Sequence, residues 1–78
     1  KDPLMATARI KSEITGTVWK VLLAEGDAIQ VESELMILES MKMEIPVEST
    51  VSGRIQTILV APGDAVDEDQ DLAIIELD

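Results

Sequence analysis

Apolar positions along this 78-residue chain fall in short runs broken by Gly, Pro, Asp and Ser. Short runs rich in Val, Ile and Leu between such breakers predict strands. They fall at residues 7–11, 17–23, 28–31, 35–39, 43–47, 54–60, 65–67 and 72–77. No stretch keeps a helical period, and turn signals recur at short intervals. The pattern predicts an all-β sandwich or flattened barrel.

The pattern also repeats. Residues 14–39 overlay residues 51–76 at an offset of 37 with no insertion. Gly16 meets Gly53, Leu22 meets Leu59, and Gly26-Asp27-Ala28 meets Gly63-Asp64-Ala65. Leu35, Ile37 and Glu39 meet Leu72, Ile74 and Glu76. Such self-similarity marks an internal duplication. Two copies of a unit that cannot bury its apolar face alone predict a pseudo-twofold axis. The offset carries position 42 to 5 and 79, so the middle hairpin is expected opposite the chain ends.

Local details follow. Ala61-Pro62-Gly63-Asp64 has Pro second and Gly third, as a type II turn requires, and Ala24-Glu25-Gly26-Asp27 is its counterpart. Apolar positions 18, 21 and 23, like 55, 58 and 60, differ in parity, which predicts a bulge or bend after Val18 and Ile55. Ile37 and Ile74 are expected in the core. Trp19 pairs with Gln56 in the repeat and is expected to be partly exposed.

Composition narrows the picture. The chain is one domain, placed at 5–78, with Lys1-Asp2-Pro3-Leu4 reading as a remnant of cloning. With one Trp and no Cys, Phe or Tyr, the core must be aliphatic. The net charge of −10 argues against nucleic acid and anionic membrane surfaces as partners. It also favours a soluble, monomeric isolated domain. No apolar run approaches a membrane span, and a cytoplasmic setting is expected.

Chemistry is constrained further. Without His or Cys the sequence offers no imidazole base, no thiol nucleophile and no soft zinc site. No glycine-rich phosphate loop is present. Asp67-Glu68-Asp69-Gln70-Asp71 alternates carboxylates as a calcium loop does, but Leu72 stands where that loop needs glycine. A solvated acidic turn is expected there, with no metal and no catalytic residue. The segment Leu38-Glu39-Ser40-Met41-Lys42-Met43-Glu44-Ile45 remains. It joins two strands with almost no loop, and its centre falls on Met41-Lys42. Neither residue suits a two-residue turn that needs positive φ. A broken local rule of this kind marks either a functional tip or an ordinary hairpin with a surface lysine.

Glu39-Ser40-Met41-Lys42-Met43-Glu44 resembles the attachment sequence of biotin carboxyl carrier domains, a lysine between two methionines. The likeness runs from about Ile10 to Glu76 and includes both Gly-Asp turns and Ser52-Gly53. It implies a flattened sandwich of two four-stranded antiparallel sheets with the lysine on an exposed hairpin. It also implies a domain without catalysis of its own. A biotin protein ligase would activate biotin as an acyl adenylate, and the Lys42 amine would attack it to form an amide. Biotin so held would serve a biotin carboxylase and a carboxyltransferase of a biotin-dependent carboxylase, such as an acyl-CoA carboxylase. Met41 and Met43 would present an adaptable apolar rim. Glu39, Ser40 and Glu44 would join them in recognition by ligase and partners. The pattern departs from the family in three places. Glu13 and Ile14 stand where Pro-Met is frequent. Glu32 and Asp69 stand where glycine is frequent, so those turns are open to difference. The uninterrupted repeat leaves no room for a protruding thumb loop. A lipoyl carrier domain has the same fold, though Asp is usual there where Met41 stands. An unmodified β-sandwich interaction module is the reading from a different class.

Overall fold

The computed structural model describes residues 6–78, so the segment read as a cloning remnant lies outside the described residues. The order is β1 (Thr7–Lys11), β2 (Gly16–Val21), β3 (Ala28–Ile29), β4 (Glu34–Ser40), β5 (Met43–Glu48), β6 (Gly53–Ile58), β7 (Ala65–Val66) and β8 (Asp71–Leu77). They form two four-stranded sheets, β1-β8-β6-β3 and β5-β4-β2-β7, in which every pairing is antiparallel. The expected all-β sandwich is therefore present. Each sheet mixes strands of both repeats, because β3 crosses to pair with β6 and β7 crosses to pair with β2. Neither half closes a sheet without the other.

The symmetry reaches single hydrogen bonds. Val18 N–H donates to the Asp64 carbonyl at 2.8 Å, and Ile55 N–H donates to the Asp27 carbonyl at 2.9 Å. Asp27 Oδ2 caps Ala24 N–H and Asp64 Oδ2 caps Ala61 N–H, each at 2.9 Å. Gly26 and Gly63 both stand at φ 94, the left-handed region that the type II turn requires. The repeat also extends ahead of the overlaid residues 14–39 and 51–76. Ser12 and Ser49 are both buried, and each hydroxyl bridges to a residue two further on, Ile14 and Val51. Glu32 and Asp69 take φ of 76 and 70, so both turns keep a left-handed residue without glycine.

The register breaks where the parity argument predicts, between Val18 and Lys20 and between Ile55 and Thr57. A second matched pair of irregularities skips Leu35 and Leu72. There the chain turns two successive side chains inward, so Leu35 and Met36, like Leu72 and Ala73, are all buried. This phase change corrects one expectation. Ile37 and Ile74 are only half-buried, and Leu38 and Ile75 take the core positions. Trp19, at 41% exposure, sits at the bulge as expected. Two clusters fill the sandwich, one around Leu35, Ile55 and Ile75 and one around Val18, Leu38 and Leu72.

β2 starts beside Ser40 and Val66, and the chain then runs to Ala28, which pairs with Arg54 beside Gly53 and Leu77. The β4–β5 turn thus stands at one end of a molecule 42 Å long, and the Ala6–Leu77 hydrogen bond marks the other. The hairpin opposite the chain ends is as the repeat offset predicts.

Candidate functional site

β4 and β5 pair through Glu39↔Glu44 and Ser40↔Met43, leaving Met41 and Lys42 as a two-residue turn. Their φ values are 52 and 66. Positive φ at both central residues is the type I′ geometry, whose twist matches the flanking strands. Asn-Gly adopts it readily, whereas a side chain such as Met or Lys carries about 1–2 kcal/mol of strain per residue in the left-handed region. The strand pairing over-determines the turn and holds both residues there. The result is a narrow tip. Met41 is 91% exposed and Met43 62% exposed, with Lys42 exposed between them.

The base of the hairpin is fixed from two sides. Ser40 Oγ donates to the Thr15 carbonyl at 3.0 Å. A Cβ on Gly16 would stand 2.5 Å from the Glu39 carbonyl oxygen, so only glycine lets β2 start this close to the hairpin. Thr15 and Gly16 are functional neighbours that the motif reading missed. The one available signal was a glycine opening a strand run. Thr15 Oγ1 also accepts from the Glu68 N–H at 3.3 Å, which brings the acidic turn after β7 to the same end.

Two other described lysines are engaged. Lys11 Nζ lies 3.5 Å from Asp71 Oδ1, while Arg9 donates to Asp71 Oδ2 at 3.0 Å. The Arg9 and Lys11 side chains are about half exposed and Asp71 less so, and solvent reaching the cations screens the pairs to about 1 kcal/mol each. Lys20 Nζ stands 4.4 Å over the Trp19 ring. Lys42 makes no such contact among the described residues. It is also the lysine at the tip of a strained turn.

The predicted site residues come together on this hairpin. Lys42, Met41 and Met43 form its tip, Ser40 its anchored shoulder, and Glu39 and Glu44 face each other across the strands. Like charges directly opposite destabilise a sheet. The hairpin keeps this pair nonetheless, next to Lys42 at the tip.

Known proteins share this family and fold. The family model described as "Biotin-requiring enzyme", of the biotin/lipoyl type, matches residues 5–78. The biotin/lipoyl attachment protein of Bacillus subtilis (strain 168) is 47% identical over 38 residues, 49% of this chain and 52% of that protein. The biotinylated protein TB7.3 homolog of Mycobacterium leprae is 50% identical over 38 residues, 49% of this chain and 54% of that protein. The aligned stretch thus spans about half the length of these relatives. Among solved structures, the Kluyveromyces lactis urea carboxylase superposes with a TM-score of 0.86 at 33% identity, over 96% of this chain and 7% of that one. A single-chain, multi-domain long-chain acyl-CoA carboxylase gives 0.86 at 26% identity, over 92% of this chain and 7% of that one. From the duplicated sandwich, the lysine-tipped hairpin and these matches, the chain belongs to the biotin/lipoyl attachment family.

Proposed function

We propose that this domain is a biotin carboxyl carrier, biotinylated on Lys42 by a biotin protein ligase and serving a biotin carboxylase and a carboxyltransferase. The observation that carries the reading is the lysine at the exposed tip of a type I′ turn, flanked by two exposed methionines. Bound there, biotin supplies a ring that takes up and releases carboxylate. The chain's own part is positional. The Lys42 amine is presented clear of both sheets, so a ligase can enclose it. In the attachment step the amine nitrogen forms a bond to the acyl carbon of the activated biotin, the bond to adenylate breaks, and the nitrogen loses a proton.

Tethering turns each later encounter into a local one, at effective concentrations on the order of millimolar. Met41 and Met43 give partners an apolar rim that adapts its shape. Glu39, Ser40 and Glu44 supply the polar part of that recognition. The two structural neighbours are named for different substrates, urea and long-chain acyl-CoA, on nearly one fold. Acceptor choice in the parent carboxylase therefore belongs outside this domain.

The test is co-expression with a biotin protein ligase, followed by intact mass and peptide mapping. One biotin on Lys42 is the expected result. Lipoate on Lys42 would make the chain a lipoyl carrier. Biotin on Lys11 or Lys20, or no addition, would overturn the reading.

A further inference from the structure

β1 and β5 are the outer strands of their sheets, and they flank a groove of about 660 Å³. The groove straddles the pseudo-twofold axis, since Arg9, Ile10 and Lys11 line one wall and their repeat mates Pro46, Val47 and Glu48 line the other. The symmetry is broken at the hairpin side, where Ile14 and Ile45 extend the apolar lining. The size suits a small molecule, whose sites are mostly apolar and run from about 300 to 1,000 Å³.

An extended peptide fits it poorly. Pro46 lacks the N–H that an added strand needs, and proline in a sheet keeps that side toward an open edge. Charged side chains on the β1 edge, Arg9 and Lys11, also disfavour strand addition.

The groove is connected to the attachment point. Met43, Ile45 and Val47 alternate along β5 and so share one face. Ile45 pairs with Leu38 and Val47 with Met36, both buried, so this face looks into the sandwich. An apolar row therefore leads from the residue after Lys42 into the groove. Reach agrees. From the Lys42 Cα to a biotin ring is about 11 bonds, or roughly 14 Å extended. At about 3.3 Å per residue of strand, that covers about four residues, as far as Pro46.

Resting on the proposed modification of Lys42, we infer that the biotin arm folds back along β5 and parks its ring in the groove between β1 and β5. The alkyl arm lies along Met43 and Ile45, and the ring sits between Ile14 and Val47. Glu13, on the hairpin side of the groove, offers a carboxylate to the ring N–H donors. Weak affinity is enough. At a tethered concentration on the order of millimolar, a groove with a Kd of about 1 mM is half-filled. The parked ring is sheltered from solvent yet leaves readily when a partner engages the tip.

The experiment compares methyl NMR spectra of the unmodified and ligase-biotinylated protein, with intact mass confirming the load. Shifts at Ile14, Ile45 and Val47 methyls are expected on loading. Capture of the loaded protein by streptavidin should be at least about twofold slower than capture of a biotinylated peptide spanning residues 39–45, since only the undocked fraction reacts. Ile45→Thr, which keeps a β-branched residue in the strand, should restore the peptide's rate. Shifts confined to residues 41–44, with a capture rate equal to the peptide's, overturn the docking and leave the carrier reading intact. Absence of biotin on Lys42 overturns both. Groove shifts that appear in unmodified protein as concentration rises would mean that a second copy occupies the groove, and would also overturn the proposal.

Discussion

Gly16 lies so close to Glu39 that a Cβ there would stand 2.5 Å from the Glu39 carbonyl oxygen and 3.3 Å from the Ser40 Cβ. Its repeat mate Gly53 meets the Glu76 carbonyl in the same way. Backbone cannot swing aside as a side chain can, so Gly16→Ala must push β2 away from the hairpin. Overpacking of this kind costs about 1–3 kcal/mol. Thermal or urea unfolding of Gly16→Ala is expected to show that loss, together with slower biotin incorporation because the base of the hairpin moves. Wild-type stability in this variant would show that the strands part freely there.

The turn itself is expected to be tuned for presentation over stability. Replacing Met41-Lys42 by Asn-Gly supplies residues that accept positive φ. Relief of strain at two positions, less the entropy that glycine adds to the unfolded chain, predicts a gain of about 1 kcal/mol. The variant should unfold at higher denaturant and accept no biotin. Lys42→Ala keeps a Cβ at φ 66, so its strain is unchanged. It should shift stability by no more than about 0.5 kcal/mol while attachment is lost. A large destabilisation by Lys42→Ala would make the lysine a structural residue.

Neighbouring core positions should behave very differently. Leu38 is 1% exposed and packs with Val18, Val66 and Leu72. Leu38→Ala is expected to cost about 2–5 kcal/mol. Ile37, one residue away, faces outward and is half-buried, so Ile37→Ala should cost well under about 2 kcal/mol. Paired chemical-denaturation curves decide this, and equal losses would contradict the phase change at Leu35.

Glu39 and Glu44 sit opposite each other across the hairpin. Glu44→Lys turns a repulsive cross-strand pair into an attractive one and is expected to raise stability by about 0.2–1 kcal/mol. The gain should shrink as salt rises from low to physiological levels, because exposed charges are screened. The same variant should be a poorer ligase substrate if these carboxylates take part in recognition. A gain that is insensitive to salt would place its origin in packing.

The linear pattern determined a good deal by itself. The β class, the duplication, the two Gly-Asp turns and the bulges after Val18 and Ile55 all follow from side-chain parity, turn chemistry and self-similarity, whereas the hairpin centred on Met41-Lys42 was legible from the short gap between two strand runs and against turn chemistry. Parity and turn chemistry act within a few residues, and the second repeat obeys them where the first does. Tertiary structure decided what depends on partners far along the chain. The crossing of β3 and β7 into the other half's sheet rests on pairings such as Ala28↔Arg54 and Gly16↔Val66, which no local spacing encodes. The inward turn of both Leu35 and Met36 follows from the register against β5, and it turns Ile37, expected in the core as the repeat mate of Ile74, outward. The anchoring of Ser40 by Thr15, and the closeness that requires Gly16, arise only once β2 lies beside β4. A contact between distant residues is set by the packing of whole strands, so it becomes visible only when the sheets have formed.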